Sequence, residues 1–175
     1  TTEIYTLSLH DALPILGMVA EMQNAHLEAL HNQLAFLELM KEIGTPRHIA
    51  WGYALTGRLQ YLANHRDAAL GDLRRGIEII KDCCTEPGDL SYFFVQIGGL
   101  FVEKNPGIGV RFLSFTQSLD TNQKDPIFYQ PYFDCFLAAA RTSLGEATFA
   151  SSWDEGSKLS TESAIDLAVK MLNEL

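Results

Sequence analysis

Apolar residues recur at threes and fours through most of this chain, the spacing that places side chains on one face of a helix. From His26 to Ile43 the pattern runs Leu27, Leu30, Leu34, Leu37 and Met40 or Ile43, which predicts an amphipathic helix with those residues inward. Punctuation residues divide the rest. Gly44 stands where a C-terminal cap belongs, and Thr45-Pro46 supplies a capping residue followed by the proline tolerated in a first turn. Leu16 to Met22 then reads as the second half of a first helix, with Asn24 at the turn, and Arg47 to Ala63 as a third. After the polar turn Asn64 to Asp67 come helices at Ala68 to Cys83, Leu90 to Glu103 and Pro106 to about Leu119. Tyr92, Phe93, Phe94 and Phe101 on one, and Val110, Phe112, Leu113 and Phe115 on the next, supply buried surface. Asp120 to Pro131 reads as a polar, proline-interrupted connector.

The pattern repeats. Leu37-Glu38-Leu39-Met40-Lys41-Glu42 returns forty residues later as Ile77-Glu78-Ile79-Ile80-Lys81-Asp82, and at the same offset Gly17 answers to Gly57, Asn24 to Asn64 and Ala29 to Ala69. A weaker third copy places Ile97, Lys104 and Gly109 at the next interval. A fixed period of about 20 to 50 residues marks an array of helix pairs, each burying its apolar face against a neighbour. Gly57 and Ala69, twelve residues apart across a short turn, predict a close crossing, since a bulky side chain there would hold the backbones apart. Glycine inside a helix costs about 1 kcal/mol relative to alanine, so close packing has to offset it.

Gly57, Ala69 and Leu73, with the turn at Asn64 to Asp67, resemble tetratricopeptide-type repeats in the roughly forty-residue form of MalT-like bacterial regulators. Ile97 where a glycine is expected, and Gln33 and Gly76 at large or alanine positions, depart from it. HEAT and armadillo arrays have a similar period but do not predict the small pair at this spacing. Ala138-Ala139-Ala140-Arg141, Leu144-Gly145-Glu146, Phe149, Trp153-Asp154-Glu155-Gly156, Leu159-Ser160 and Ala164 resemble the segment that closes the helical region of large bacterial ATP-dependent regulators, the LuxR-type and cyclase-linked proteins. The residues give that segment a physical sense as well. Gly145 and Gly156 are expected to end helices, Phe149 and Trp153 share a face, and Ser160 with Glu162 favours a helix start.

The resemblance implies an all-α fold, an antiparallel helix-pair, right-handed solenoid with C-terminal capping helices. It also implies a piece of a larger regulator, lacking its ATPase and its DNA-binding or cyclase output domain. The expected division is repeats over 16–124 (16–44 in part, 45–84, 85–124) and a helical cap over 125–175. Residues 1–15, Thr1 to Ile15, resemble the translation of a short-read sequencing-library adapter and are set aside as an artefact. His10 and Asp11 then carry no catalytic weight, and the first helix is expected to lack its first half.

Composition narrows the function. The chain has 175 residues, 47% hydrophobic and 20% charged, enough for one globular domain, and its formal charge is −9. Without Glu3 and Asp11 there remain 13 basic against 20 acidic residues, or −7. Such a balance argues against nucleic-acid binding by this segment. Three cysteines, with Cys83 and Cys84 adjacent, make a poor disulfide framework and point to a reducing, cytoplasmic setting. No run approaches the ~18 to 20 apolar residues of a membrane-spanning helix, and no signal peptide is evident.

Candidate chemistry is sparse. His26 and His31, about 140° apart around a helix, cannot share a metal as an i, i+4 pair would, and read as surface or turn histidines. Cys83 and Cys84 point different ways and read as buried or semi-buried thiols. Gly107-Ile108-Gly109 is a lone G-x-G without a following Lys-Ser or Lys-Thr, and no nucleophile elbow or His-Glu-x-x-His run occurs. Asp154-Glu155 reads as a solvated helix end. No enzyme site, metal or cofactor is expected. The expected function is a non-catalytic module mediating protein–protein interaction and regulation in a bacterial signalling or transcription regulator, with a protein partner or neighbouring ATPase domain. The alternative is a small-molecule effector sensor. In such stacks the first helix of each pair lines a concave groove, which would place Trp51, Arg58 and Tyr61 and their counterparts Ser91, Phe94 and Phe101 on it, Arg58 positioned to clamp a carboxylate. Core packing of the same aromatics is the other reading.

Overall fold

A computed structural model describes residues 2–83, 86–119 and 129–175, with side chains from Asp11 onward. The described residues form nine α-helices and no strand: α1 Thr2–Met22, α2 His26–Ile43, α3 Pro46–Leu62, α4 Arg66–Cys83, α5 Pro87–Lys104, α6 Pro106–Ser118, α7 Gln130–Leu144, α8 Glu146–Ser157 and α9 Thr161–Asn173. The fold is all-α. Among these residues, no helix is long and apolar enough to cross a membrane. The chain forms two compact units, Thr1–Ile79 and Ile80–Leu175, divided within α4. The expected boundary at 124/125, and most of the expected connector, lie outside the described residues.

Local signals set the helix starts. Proline occupies the first turn of α3, α5, α6 and α7, where its missing N–H has no intrahelical partner in any case. The Asn105 side chain accepts from Ile108 N at 3.4 Å to cap α6, and Ser160 accepts from Ser163 N at 3.1 Å to cap α9. The α1–α2 and α3–α4 turns are copies of one another. Asn24 and Asn64 both take the left-handed conformation, at φ 59° and 64°. In each, the next N–H reaches back to close the helix end, Ala25 N to Ala20 O and His65 N to Gln60 O, both 2.8 Å. Gly44 closes α2 in extended conformation, φ −83°, with its N–H on Met40 O.

In the first unit the helices cross at small residues. A methyl group added to Gly57 would lie 2.6 Å from Leu73 Cγ and 3.1 Å from the Ala69 carbonyl oxygen. At the equivalent crossing Gly17 faces Gln33, which stands where the next pair has Leu73; the buried Gln33 Nε2 donates to the Pro14 carbonyl at 3.3 Å. Gly52 of α3 lets Leu37 of α2 approach, and Leu59 joins Ala20, Ala29 and Leu30 in one cluster. The buried stripe of α2 differs from the expected one. It comprises Ala29, Leu30, Gln33, Phe36, Leu37 and Met40, while Leu27, Leu34 and Ile43 are exposed, Leu27 by 75%. Leucines at i, i+3 and i+7 fit two overlapping phases, and α3 decides between them by docking on the Ala29 side.

The third pair also departs from the simple offset. Ile97 is a buried core residue, and the crossing glycine is Gly98, whose added methyl group would meet Leu113 Cδ2 at 3.0 Å and the Gly109 carbonyl oxygen at 3.4 Å. The α5–α6 turn is the single residue Asn105, whereas Ala63, Asn64 and His65 separate α3 from α4. A shorter turn brings the two small residues one position closer in sequence, so a fixed forty-residue offset misses the glycine.

In the second unit α5 is buried on every side over most of its length and packs against α6 and α7, with Gly99 leaving room for the Phe136 ring. Phe94 centres an aromatic cluster, 5.1 Å from Phe115, 5.5 Å from Phe93 and 5.7 Å from Phe112. α8 closes over α6, where Ser114 Oγ donates to the Trp153 carbonyl at 2.6 Å, and Trp153 stacks on Phe149. Gly145 ends α7 at φ 71°. Gly156 lies in the last turn of α8, one residue before its end, and is also buried against the main chain of Arg111, where a methyl group would stand 2.3 Å from the Arg111 carbonyl oxygen.

Gly57→Ala and Gly156→Ala are expected to lower stability by about 1 to 3 kcal/mol through overpacking. Gly71→Ala, in α4 with nothing within 4 Å of the added methyl, should raise it by up to about 1 kcal/mol. Urea midpoints of the three variants check the contrast.

Candidate functional site

Trp51, Arg58 and Tyr61 lie in the first unit and Ser91, Phe94 and Phe101 in the second, and all six are buried. No side chain of the set is presented to solvent as a groove lining would be. Trp51 meets Phe36 edge-on at 5.1 Å, Ser91 Oγ donates to the Gly88 carbonyl at 2.9 Å, and Phe94 and Phe101 pack against Phe112. The cause lies in the first helix of each pair. α3 and α5 bury residues all round, so no side of them is left to line an opening.

Arg58 is 1% exposed, and its partner is internal: Nη2 donates to Glu21 Oε2 of α1 at 2.5 Å. A guanidinium held out of water requires a carboxylate close by, and α1 supplies it. The pair ties α1 to α3 and commits the charge that could have met a ligand carboxylate. At the equivalent position of the preceding pair the residue is Met18, also buried, so the ion pair is particular to this junction. On the other side of α3, towards α4, Thr56 Oγ1 is 3.0 Å from both the Gly52 carbonyl and Asp72 Oδ2.

The second unit carries an open cleft of about 440 Å³ between α6, α8 and α9, lined by Arg111, Glu155, Leu159, Ser163, Asp166, Leu167 and Lys170. Ser163, Asp166, Leu167 and Lys170 follow the i, i+3, i+4, i+7 spacing of one helix face. Arg111, half-buried, pairs with Glu155 across the cleft. Leu159 and Leu167 give it an apolar floor, and the remaining lining is of mixed charge. Such a surface can hold a polar ligand or a peptide by charge pairing. The α9 stripe is visible in the sequence, but its facing residues Arg111 and Glu155 come from 52 and 8 positions before Ser163, and periodicity does not join them.

Other candidates stand alone. Cys83 and Cys135 are exposed free thiols, which corrects the expectation of a buried or semi-buried Cys83; Cys84 lies outside the described residues. His26 and His31 are both exposed. Among the described residues no three His, Cys, Asp or Glu side chains gather as metal ligands would. Tyr129, buried and stacked on Phe133 at 5.3 Å, shares a 2.9 Å hydrogen bond with Thr116. Burial pushes its ionisation well above the ordinary tyrosine range, outweighing the opposite effect of Thr116.

No family model, no curated protein and no solved structure matches the chain.

Glu21→Ala is expected to destabilise by up to about 3 kcal/mol because it removes the carboxylate that faces a buried guanidinium. Arg58→Met should cost less, since Glu21 can still reach water, and the double replacement should recover part of the loss; a thermodynamic cycle from urea unfolding measures the coupling. Tyr129 gives a pH dependence of fixed sign. Its neutral form is favoured in the fold, so its contribution is intact below the unfolded value of about 10 and is lost as pH rises above it. The urea midpoint should fall from about pH 10 upward, and Tyr129→Phe should flatten that fall while costing about 1 kcal/mol at neutral pH for the lost hydrogen bond.

Proposed function

We propose that this chain is a non-catalytic helical-repeat module of a larger bacterial signalling or transcription regulator, through which the regulator contacts a protein partner or a neighbouring ATPase domain. Its helix pairs stack as a right-handed tetratricopeptide-type solenoid closed by the C-terminal helices. One observation carries this: a whole turn-and-crossing geometry recurs at a forty-residue step, with Asn24 and Asn64 left-handed and Gly17 and Gly57 at the crossings. Repetition of a unit that offers no reaction chemistry suits a scaffold for binding. The negative charge favours protein partners over nucleic acid.

The cleft along α9 favours a second reading, in which a small polar effector binds in the second unit. The two give different results. An effector at a hundredfold excess over its Kd stabilises by about 2.7 kcal/mol, a shift of several degrees for a domain of this size. The interaction reading expects no such shift across a metabolite library, together with co-purification of the chain with an ATPase domain of such a regulator. A metabolite shift abolished by Lys170→Ala would transfer the function to the cleft. Hydrolase or transferase activity in purified chain would overturn both.

A further inference from the structure

Arg58 of α3 is buried and paired with Glu21 of α1, yet the repeat packs elsewhere without such a pair. Forty residues back the position of Arg58 is held by buried Met18, and forty on by buried Gly98; the position of Glu21 becomes Tyr61 and then Phe101, both buried. Exchanging a buried ion pair for apolar side chains of similar volume is commonly neutral or stabilising, so stability alone does not account for this one. The use that remains is to fix register. A charged pair is satisfied in one relative placement of two helices, whereas leucines are satisfied in several.

The apolar contacts around the pair set register loosely. Leu59 and Leu62 of α3 rest on Ala20, Ala25, Ala29 and Leu30, a floor in which three of the four side chains are single methyl groups and form no notch for a leucine. Leu55, Leu59 and Leu62 follow at i, i+4 and i+7 along α3, so a slide of one turn, about 5.4 Å, replaces one leucine by another. Trp51 meets Phe36 of α2 edge-on, and one turn along α3 stands Leu55, again apolar. Gly52 receives Leu37, but a methyl group there would meet the Cδ1 tip of that flexible side chain at 3.0 Å, a contact that a rotamer change relieves. The ion pair responds differently. A slide of one turn in either direction carries the guanidinium about 5.4 Å from its carboxylate, and in one direction it sets Leu62 opposite Glu21. A buried charge parted from its partner is costly.

We infer that the Arg58–Glu21 pair is a register lock, holding α3 at a single position along α1 and selecting one of the packings that the apolar side chains alone accept. Packed helices that slide by one turn are a recognised kind of two-state element, and the lock suppresses that motion here. The inference is independent of the interaction and effector readings above.

The test replaces both residues, Glu21→Met with Arg58→Met, using the side chain that the preceding repeat carries at Met18, and compares amide NMR spectra of the full chain with those of the parent. The parent should show one set of α1 and α3 resonances. The double variant should remain folded, with a urea midpoint at least that of Glu21→Ala. It should show a second set, or exchange broadening, confined to α1, α2 and α3, from a state populated at about 1 to 10%. Two variants that keep opposite charges, Arg58→Lys and the reversed Glu21→Arg with Arg58→Glu, should give a single set, which a space-filling role does not require. A single set in the double Met variant overturns the inference, since packing then fixes register by itself. Its failure to fold does the same, by making the pair a condition of stability. Extra resonances that neither charged variant removes, or that spread through the second unit, also overturn it, and extra resonances that grow with protein concentration do so in favour of self-association.

Discussion

Close approach of helix backbones is the constraint on which both units depend. Gly57 against Leu73, Gly98 against Leu113 and Gly156 against the Arg111 main chain each leave less room than a methyl group requires. At such distances the flanking side chains interlock, and the dispersion and burial gained there offset the intrinsic cost of glycine in a helix. Turn length follows from the same requirement. Where three residues join α3 to α4 the small residues stand twelve apart, and where Asn105 alone joins α5 to α6 they stand eleven apart.

Tight pairing has a consequence for the first helices. With neighbours on both sides, α3 and α5 have no free face, and their polar groups must be satisfied inside. Arg58 finds Glu21, Thr56 finds backbone carbonyls, and Ser91 bonds back to Gly88. The aromatics of the first helices are therefore core residues, and the exposed chemistry lies on other surfaces. Among the described residues these include the α9 cleft with its mixed charges.

Charge pairs and apolar side chains make up the exposed chemistry of the second unit. Arg111 and Glu155 pair with one another, and Lys170 and Asp166 lie on one helix face with Leu167 between them. The buried phenol of Tyr129 is spent on Thr116 and Phe133, a structural role.

Helix identity and repeat step were legible from the chain, because they rest on local terms. Proline in a first turn, asparagine at a left-handed position and glycine at a helix end act within a few residues and leave a mark at fixed sequence spacing. Apolar periodicity showed that α2 is a helix but not which of its two overlapping leucine phases is buried; Leu27 and Leu34 were equal candidates until α3 docked on the other side. Nor could it show that Gly156, in the last turn of α8, is also a contact residue against the Arg111 main chain. The burial of Trp51, Arg58 and Phe94 was decided by neighbours from distant positions, as with Glu21 and Arg58, thirty-seven residues apart. Sequence fixes local conformation through short-range sterics and hydrogen bonding; which face meets water depends on the free energy of packing whole helices together, and that exists only once the chain is folded.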